Sequence, residues 1–275
     1  MALFASSLAS GSNGNCYYVG NEKEAVLIDA GISCREIEKR MKRKGLQTSI
    51  LKAIFISHEH SDHIGGVAMF SKKYQLPVYI STSTYSRCRY IEKEAVRHFS
   101  SAKSINIGSL TIKPFNKIHD AIDPYSFVIS CQGINVGVLT DIGVACQNVK
   151  EYFSQCHAVF LESNYDNDML MKGNYPYHLK RRISGGKGHL SNKEALELFL
   201  NHRPPFMSHL FLSHLSKNNN CPQLVQELFN AHCGNTSIIL ASRNEETDVY
   251  HIVKSQLNKM PHPTERPHQL MLDLA

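Results

Sequence analysis

The chain of 275 residues has no tryptophan, no Cys-x-x-Cys pair and no apolar run long enough to cross a bilayer, so no membrane association is expected. No Gly-x-Gly-x-x-Gly segment opens any of its expected helices, which argues against a dinucleotide-binding fold. The N-terminus, Met-Ala-Leu-Phe-Ala-Ser-Ser-Leu, lacks the basic start and long apolar stretch of a signal peptide and reads as a first strand. The 8 cysteines are scattered, which fits a reduced, cytoplasmic chain whose thiols serve as small core residues. Internal repeats and low-complexity blocks are also missing. The remaining composition is that of an ordinary globular protein: 42% of the residues are hydrophobic, enough for a sizeable core in one large α/β domain or two small ones. A formal charge of +6 is a mild bias toward an anionic partner such as nucleic acid. The 15 histidines are many for this length.

Hydrophobic patterning predicts strands at 2–9, 16–20, 25–29, 52–57 and 77–81, with helices over 33–44 and 64–74. The middle is mostly β, with short strands at 104–107, 109–115, 125–131 and 134–140 and turns at Gly108 and Gln132-Gly133. A helix near 145–154, a strand at 157–162, a helix at 191–202, a strand at 208–213, a helix at 222–232 and a strand at 236–241 follow. Ser191 and Glu194 have the spacing of a capping box at the start of the 191–202 helix. The charge run Lys39-Arg40, Lys42-Arg43-Lys44 reads as a solvated helix face. Short strands with helices between them in both halves favour a layered α/β domain with helices outside two sheets.

Against this background the segment Ser57-His-Glu-His-Ser-Asp-His-Ile-Gly-Gly66 stands out. His58, His60, Asp62 and His63 form His-x-His-x-Asp-His directly after the apolar strand Ala53-Ile54-Phe55-Ile56. Imidazole and carboxylate suit a borderline first-row cation such as zinc or manganese. In an extended loop positions 58 and 60 point the same way and can share one ion. Asp62 and His63 turn toward a second point nearby. The plainer reading, a solvated polar loop, is disfavoured by the strand before the cluster and the Gly65-Gly66 pair after it.

With the upstream Leu27-Ile28-Asp29-Ala30-Gly31, this motif resembles the signature of the metallo-β-lactamase fold. Ser-Leu-Ala-Ser-Gly-Ser-Asn-Gly-Asn-Cys near the start, Leu161-Glu162-Ser163-Asn164, and His214-Leu215-Ser216-Lys217-Asn218-Asn219 are similar to segments of the bacterial YycJ/WalJ group. The resemblance runs from about residue 3 to 240. It implies a four-layer αββα sandwich over residues 1–254, a C-terminal tail over 255–275, and two divalent metal ions, Zn²⁺ or Mn²⁺. By the same resemblance His58, His60 and His119 would hold one ion, Asp62, His63 and His214 the other, and Asp141 would bridge them. Asp120 and Asp29 would support the ligands rather than join them.

What such a pair would do follows from metal chemistry. Water between two divalent ions becomes hydroxide near neutral pH, and the ions stabilise charge at a breaking phosphodiester. The same logic serves thioesters and lactams. The substrate clue is Gly188-His189-Leu190-Ser191, which is similar to a segment of the tRNA-3′-processing branch that supplies a proton-donating histidine. His189 and Glu162 match that histidine and its glutamate partner, so Asp62, His189 and Glu162 are the expected catalytic residues. Phosphate handling is expected from Ser12, Asn13 and Asn15 in the Gly/Ser/Asn-rich loop, from Arg181 in the run Lys180-Arg181-Arg182, and from Lys217. Residues 120–140 and 142–213 leave no room for the gripping arm of tRNA-processing relatives or the extra domain of RNA-degrading ones. The resemblance therefore implies a DNA-directed 5′→3′ exonuclease, with nucleic acid as partner. A small-molecule hydrolase, such as a thiolesterase, is the alternative on the same fold. A non-catalytic module is disfavoured by the complete ligand set, and a di-iron redox protein by His60, where such proteins carry a carboxylate.

Overall fold

The structure is a computed structural model that describes residues 2–101 and 103–254. The expected tail at 255–275 lies outside the described residues. In chain order the strands are β1 (Leu3–Ala9), β2 (Cys16–Gly20), β3 (Ala25–Ile28), β4 (Leu51–Phe55), β5 (Val78–Ser81), β6 (Val96–Phe99), β7 (Ile105–Ile107), β8 (Leu110–Asn116), β9 (Tyr125–Cys131), β10 (Ile134–Leu139), β11 (Ala158–Glu162), β12 (His209–Ser213), β13 (Ser237–Leu240) and β14 (Tyr250–Ile252). The helices are α1 (Cys34–Arg43), α2 (Ser61–Ile64), α3 (Val67–Tyr74), α4 (Thr82–Tyr85), α5 (Gln147–Phe153), α6 (Asn167–Lys172), α7 (Tyr177–Ser184), α8 (Asn192–His202) and α9 (Pro222–Asn230). No described helix is long and apolar enough to cross a membrane.

The strands form two seven-stranded sheets, β14-β1-β2-β3-β4-β5-β6 and β13-β12-β11-β10-β9-β8-β7. In each, one side is antiparallel and the other parallel: β3 through β6 run parallel, as do β10 through β13. Side-chain alternation explains the layering. Along β4 and the residue after it, Ala53 and Phe55 face the core between the sheets, while Ile54 and Ile56 face the outer cluster built with Ile37, Met41, Val67 and Phe70 of α1 and α3. In β11, Ala158 and Phe160 face inward, while Val159 and Leu161 meet Val149 and Phe153 of α5, Leu198 of α8 and Phe229 of α9. Helices thus cover both outer faces of two packed sheets, the αββα arrangement.

The expected elements are largely present, with informative differences. The expected 64–74 helix is split into α2 and α3 at Gly65-Gly66, where a Cβ on Gly66 would stand 2.0 Å from the Ile32 carbonyl oxygen. Strands β6 and β14 are additional. The basic run at 180–182 lies in a helix, α7, only two turns long, whose apolar pair Leu179 and Ile183 is half-buried rather than set in the core. Arg40 is not on a solvated face: it is 8% exposed and donates to the Leu8 and Asn244 carbonyls. It ties α1 to β1 and to the segment before β14, where Arg43 and Lys44 add ion pairs to Glu246 and Asp248.

Candidate metal centre

The C-terminal ends of the parallel strands meet at one rim, and the polar cluster sits there. Three strand-end residues, Asp29 after β3, Asp141 after β10 and His214 after β12, have φ of 60°, 55° and 57°. That left-handed conformation is costly for a residue with a side chain. It turns each chain sharply and aims the side chain at the rim. Glycine makes the other close approach: Gly31 lies against the Asp62 backbone, where a Cβ would fall 1.6 Å from the Asp62 carbonyl oxygen. Asn15 N–H donates to that same oxygen at 2.7 Å.

The hydrogen bonds behind the imidazoles fix their orientation. Ser57 Oγ gives its single proton to Asp29 Oδ2 at 2.7 Å, so it accepts from His58 Nδ1 at 2.8 Å and leaves a lone pair on His58 Nε2. His63 Nδ1 donates to Asp29 Oδ2 at 2.7 Å. His119 Nδ1 donates to the Gly188 carbonyl at 2.8 Å, and His214 Nδ1 to Glu162 Oε1 at 3.0 Å. Four rings are therefore held from behind through Nδ1 and present Nε2 to a common interior, the arrangement that prepares imidazoles for a cation.

Within that interior, His60 Nδ1 lies 3.0 Å from His58 Nε2. His63 Nε2 is 3.2 Å from Asp141 Oδ2 and 3.5 Å from Asp62 Oδ2. His214 approaches Asp141 Oδ1 at 3.1 Å through Nδ1 and Asp62 Oδ2 at 3.7 Å through Nε2. Asp141 Oδ1 is 3.8 Å from His119 Nε2. Three groups have ligand atoms close enough to share an ion: His58, His60 and His119; His58, His63 and Asp141; and Asp141, Glu162, His189 and His214. His119 Nε2, His214 Nε2, Asp141 Oδ2 and Asp120 Oδ1 are buried without a hydrogen-bond partner. Buried polar atoms are rarely left so. Nitrogen and oxygen atoms without partners, facing one another, fit divalent cations.

Electrostatics agree. Burial would raise the Asp141 carboxyl, but the His214 and His63 imidazoles outweigh it and hold it well below the usual carboxylate range. Burial opposes a charge on His214, yet Asp141 and Glu162 push its imidazole up to about 10. His63 is likewise pushed up against its burial by Asp141, Asp29 and Asp62. His58 is driven well below its ordinary value by burial and then by neighbouring His63. His119 falls to about 4, mainly through burial. Protons on His63 and His214 compensate carboxylates in the place where cations would.

Glu162 is wholly buried and makes four bonds. Its Oε1 accepts from His189 Nδ1 at 2.8 Å and from His214 Nδ1, and its Oε2 accepts from Ile142 N–H at 2.7 Å and Leu190 N–H at 3.1 Å. Burial raises this carboxyl, but His189 and His214 hold it down to about 2.

A cavity of about 400 Å³ opens on the cluster and is lined by His60, Asp62, Asp141, His189 and His214 together with Ser12, Asn164, Tyr175, Arg182 and Ser216. Of the residues expected to hold phosphate, only Ser12 lines it. Asn15 is buried and donates to Asp62 Oδ2 at 3.1 Å, a support for the ligand loop. Asn13 binds the Arg243 carbonyl, and Arg181 stands over the Tyr177 ring on the outside of α7. Lys217 follows Ser216 and is exposed. Lys117 had no sequence signal, and in the basic run 180–182 the sequence pointed to Arg181 rather than its neighbour Arg182. Lys117 is 5% exposed and donates to the Thr140 carbonyl next to Asp141; Arg182 enters the cavity only because α7 is helical. Asp120 Oδ1 lies 3.2 Å from His119 Nε2.

Comparison with known proteins gives the same picture. A model of the metallo-beta-lactamase superfamily matches residues 9–130. The exodeoxyribonuclease YycJ of Bacillus anthracis is 33% identical over 230 residues, covering 82% of this chain and 87% of the relative. The exodeoxyribonuclease WalJ of Streptococcus pneumoniae is 32% identical over 225 residues, covering 80% and 84%. Among solved structures, the metallo-beta-lactamase fold protein YhfI of Bacillus subtilis superposes with a TM-score of 0.73 at 14% identity, over 91% of this chain and 100% of that one. The chain belongs to the metallo-β-lactamase superfamily and, within it, to the YycJ/WalJ group.

Proposed function

We propose that the protein is a dinuclear-metal phosphodiesterase that degrades DNA from the 5′ end. His58, His60 and His119 hold one divalent ion, Zn²⁺ or Mn²⁺, and Asp62, His63 and His214 the other, with Asp141 reaching both. The observation that carries the reading is the set of four Nδ1-anchored imidazoles gathered around Asp141, with His119 Nε2, His214 Nε2 and Asp141 Oδ2 buried and unpartnered among them. Two such ions, when bound, supply a nucleophile near neutral pH and neutralise charge at the phosphorus. The substrate comes from the relatives, which are named exodeoxyribonucleases.

The chain's own residues account for the rest. Asn15 and the Gly31 contact brace the Asp62 backbone, and Asn15 Nδ2 holds its carboxylate, so the loop that carries Asp62 is fixed at both levels. Asp29 and Gly188 hold the rings of His63 and His119 in one tautomer. His189 lines the cavity with its Nδ1–H held by Glu162, so in its protonated form Nε2–H faces the substrate. Breaking the P–O bond leaves an alkoxide oxygen, and His189 Nε2 gives it a proton. Glu162 keeps that ring oriented and compensates its charge.

Degradation of DNA labelled at either end, with Zn²⁺ or Mn²⁺ supplied, tests the proposal. A 5′ label is released as mononucleotide while a 3′ label stays on long fragments. Binding to DNA weakens steeply with salt. Release of the 3′ label first would reverse the polarity. Absence of DNA cleavage alongside hydrolysis of a small thioester would replace this reading with the small-molecule one.

A further inference from the structure

The cavity wall contains one arginine whose setting is unlike that of the other basic residues. Arg182, on α7, donates through Nε to Asp120 Oδ2 at 2.6 Å. Its side chain is 61% exposed and faces the cavity that His60, Asp62 and His214 also line. Among the described residues no other hydrogen bond occupies its two terminal nitrogens. An arginine anchored through Nε and free at both Nη atoms is a preset fork for two oxygens of one phosphate. Asp120 belongs to the metal rim through its neighbour His119, so the anchor sets the fork at a fixed place relative to the ligand cluster.

The helix that carries Arg182 buries none of its residues. Its middle is tied by Lys180 Nζ donating to the Met171 carbonyl, and its end by His189 N–H donating to the Ile183 carbonyl. The closing turn needs glycine. A Cβ on Gly188 would stand 2.1 Å from the Ile183 carbonyl oxygen, and one on Gly185 2.3 Å from that of Arg181. Arg181, the preceding residue, instead lies over the exposed Tyr177 ring. Of these adjacent arginines, only Arg182 is both anchored and turned into the cavity.

We propose that Arg182 is a substrate-positioning residue that grips a backbone phosphate of the polynucleotide next to the one being cleaved, and that Asp120 holds its guanidinium ready. This rests on the reading of the protein as a nuclease. The class of ligand is a polyanion with phosphates at regular spacing.

The test uses the full chain, loaded with Mn²⁺ or Zn²⁺, and single-stranded and duplex DNA. Arg182→Ala lowers kcat/KM on DNA about tenfold to a hundredfold, the range of a charge-assisted contact. The loss appears in KM more than in kcat, and metal content stays at the wild-type value. The slope of log KM against log salt becomes shallower by about 0.7–0.9, the signature of one lost phosphate contact. Arg182→Lys keeps the salt slope, because the charge remains, but recovers only part of kcat/KM. Asp120→Asn lowers kcat/KM several-fold in the wild-type background and by a clearly smaller factor in Arg182→Ala, the remainder coming from its other oxygen beside His119. Wild-type kcat/KM and salt slope in Arg182→Ala would overturn the proposal, as would full additivity of the two substitutions. If the wild-type protein itself does not cleave DNA, the nuclease reading fails first.

Discussion

Replacement of Glu162 by glutamine tests how the buried carboxylate serves both fold and chemistry. Each oxygen of Glu162 accepts two hydrogen bonds, one pair from imidazoles and one from the Ile142 and Leu190 backbone. Glutamine retains one oxygen and turns an NH₂ group toward two donors on the other side. At about 1–3 kcal/mol for a donor left unpaired, and with partial relaxation, the loss is about 2–4 kcal/mol. For a chain of this size that lowers Tm by about 4–16 °C, leaving a folded protein to assay. If the NH₂ faces the backbone pair, the Ile142 turn beside Asp141 loosens. If it faces the rings, His189 and His214 lose their shared acceptor, Asp141 still holds His214, and the His189 proton is no longer held. Loss of a positioned general acid costs about 10²–10⁴-fold in turnover. The expected result on DNA is a fall in kcat of about 10²-fold or more, with metal content reduced much less than turnover. His189→Ala falls to a similar level, and the double variant falls little further. Turnover within threefold of wild type for Glu162→Gln, or a loss matched one for one by lost metal, would refute the argument.

Two other predictions concern the frame of the site and its charge. Gly31→Ala forces a Cβ into the Asp62 backbone, 1.6 Å from its carbonyl oxygen, and is expected to destabilise the fold by about 3 kcal/mol or more and to weaken metal retention; denaturant titration and metal analysis check both. Stability of the metal-free protein is expected to peak near pH 6.5. His214 holds its proton to about 10 in the fold, so its contribution is complete below 6.5 and is lost as pH rises toward 10. His119, depressed to about 4 by burial, contributes in the opposite sense: its stabilisation is lost as pH falls from 6.5 toward 4. Thermal melts in chelator from pH 4 to 10 read the profile, and a curve flat over that span contradicts it.

The parts of the structure legible in the sequence are those fixed locally. Alternation in Ala53-Ile54-Phe55-Ile56 places β4 between two apolar layers, and the Ser191–Glu194 capping box that opens α8 is present as read. Helix α7 was not legible, because it is two turns long, its apolar pair Leu179 and Ile183 is only half-buried, and its Lys180-Arg181-Arg182 run looks like loop charge. β14 has three residues and owes its place to pairing with β1. In the site, His58, His60, Asp62 and His63 are neighbours in the chain, so their shared purpose is visible there. His119, Asp141 and His214 are single residues at separate strand ends, and only family resemblance links them in sequence. The bond from Asn15 to Asp62, the buried Lys117 and the anchored Arg182 join segments far apart in the chain, which no local pattern reveals. Arg40 shows the converse, a residue in an ordinary charge run that folding buries.

Anomalous diffraction from crystals of the protein loaded with Zn²⁺ or Mn²⁺ locates the bound cations. Two peaks are expected per chain, one among His58, His60 and His119 and one among Asp62, His63 and His214, with Asp141 in contact with both. Peaks only outside these residues, or none at the rim under saturating metal, would contradict the account.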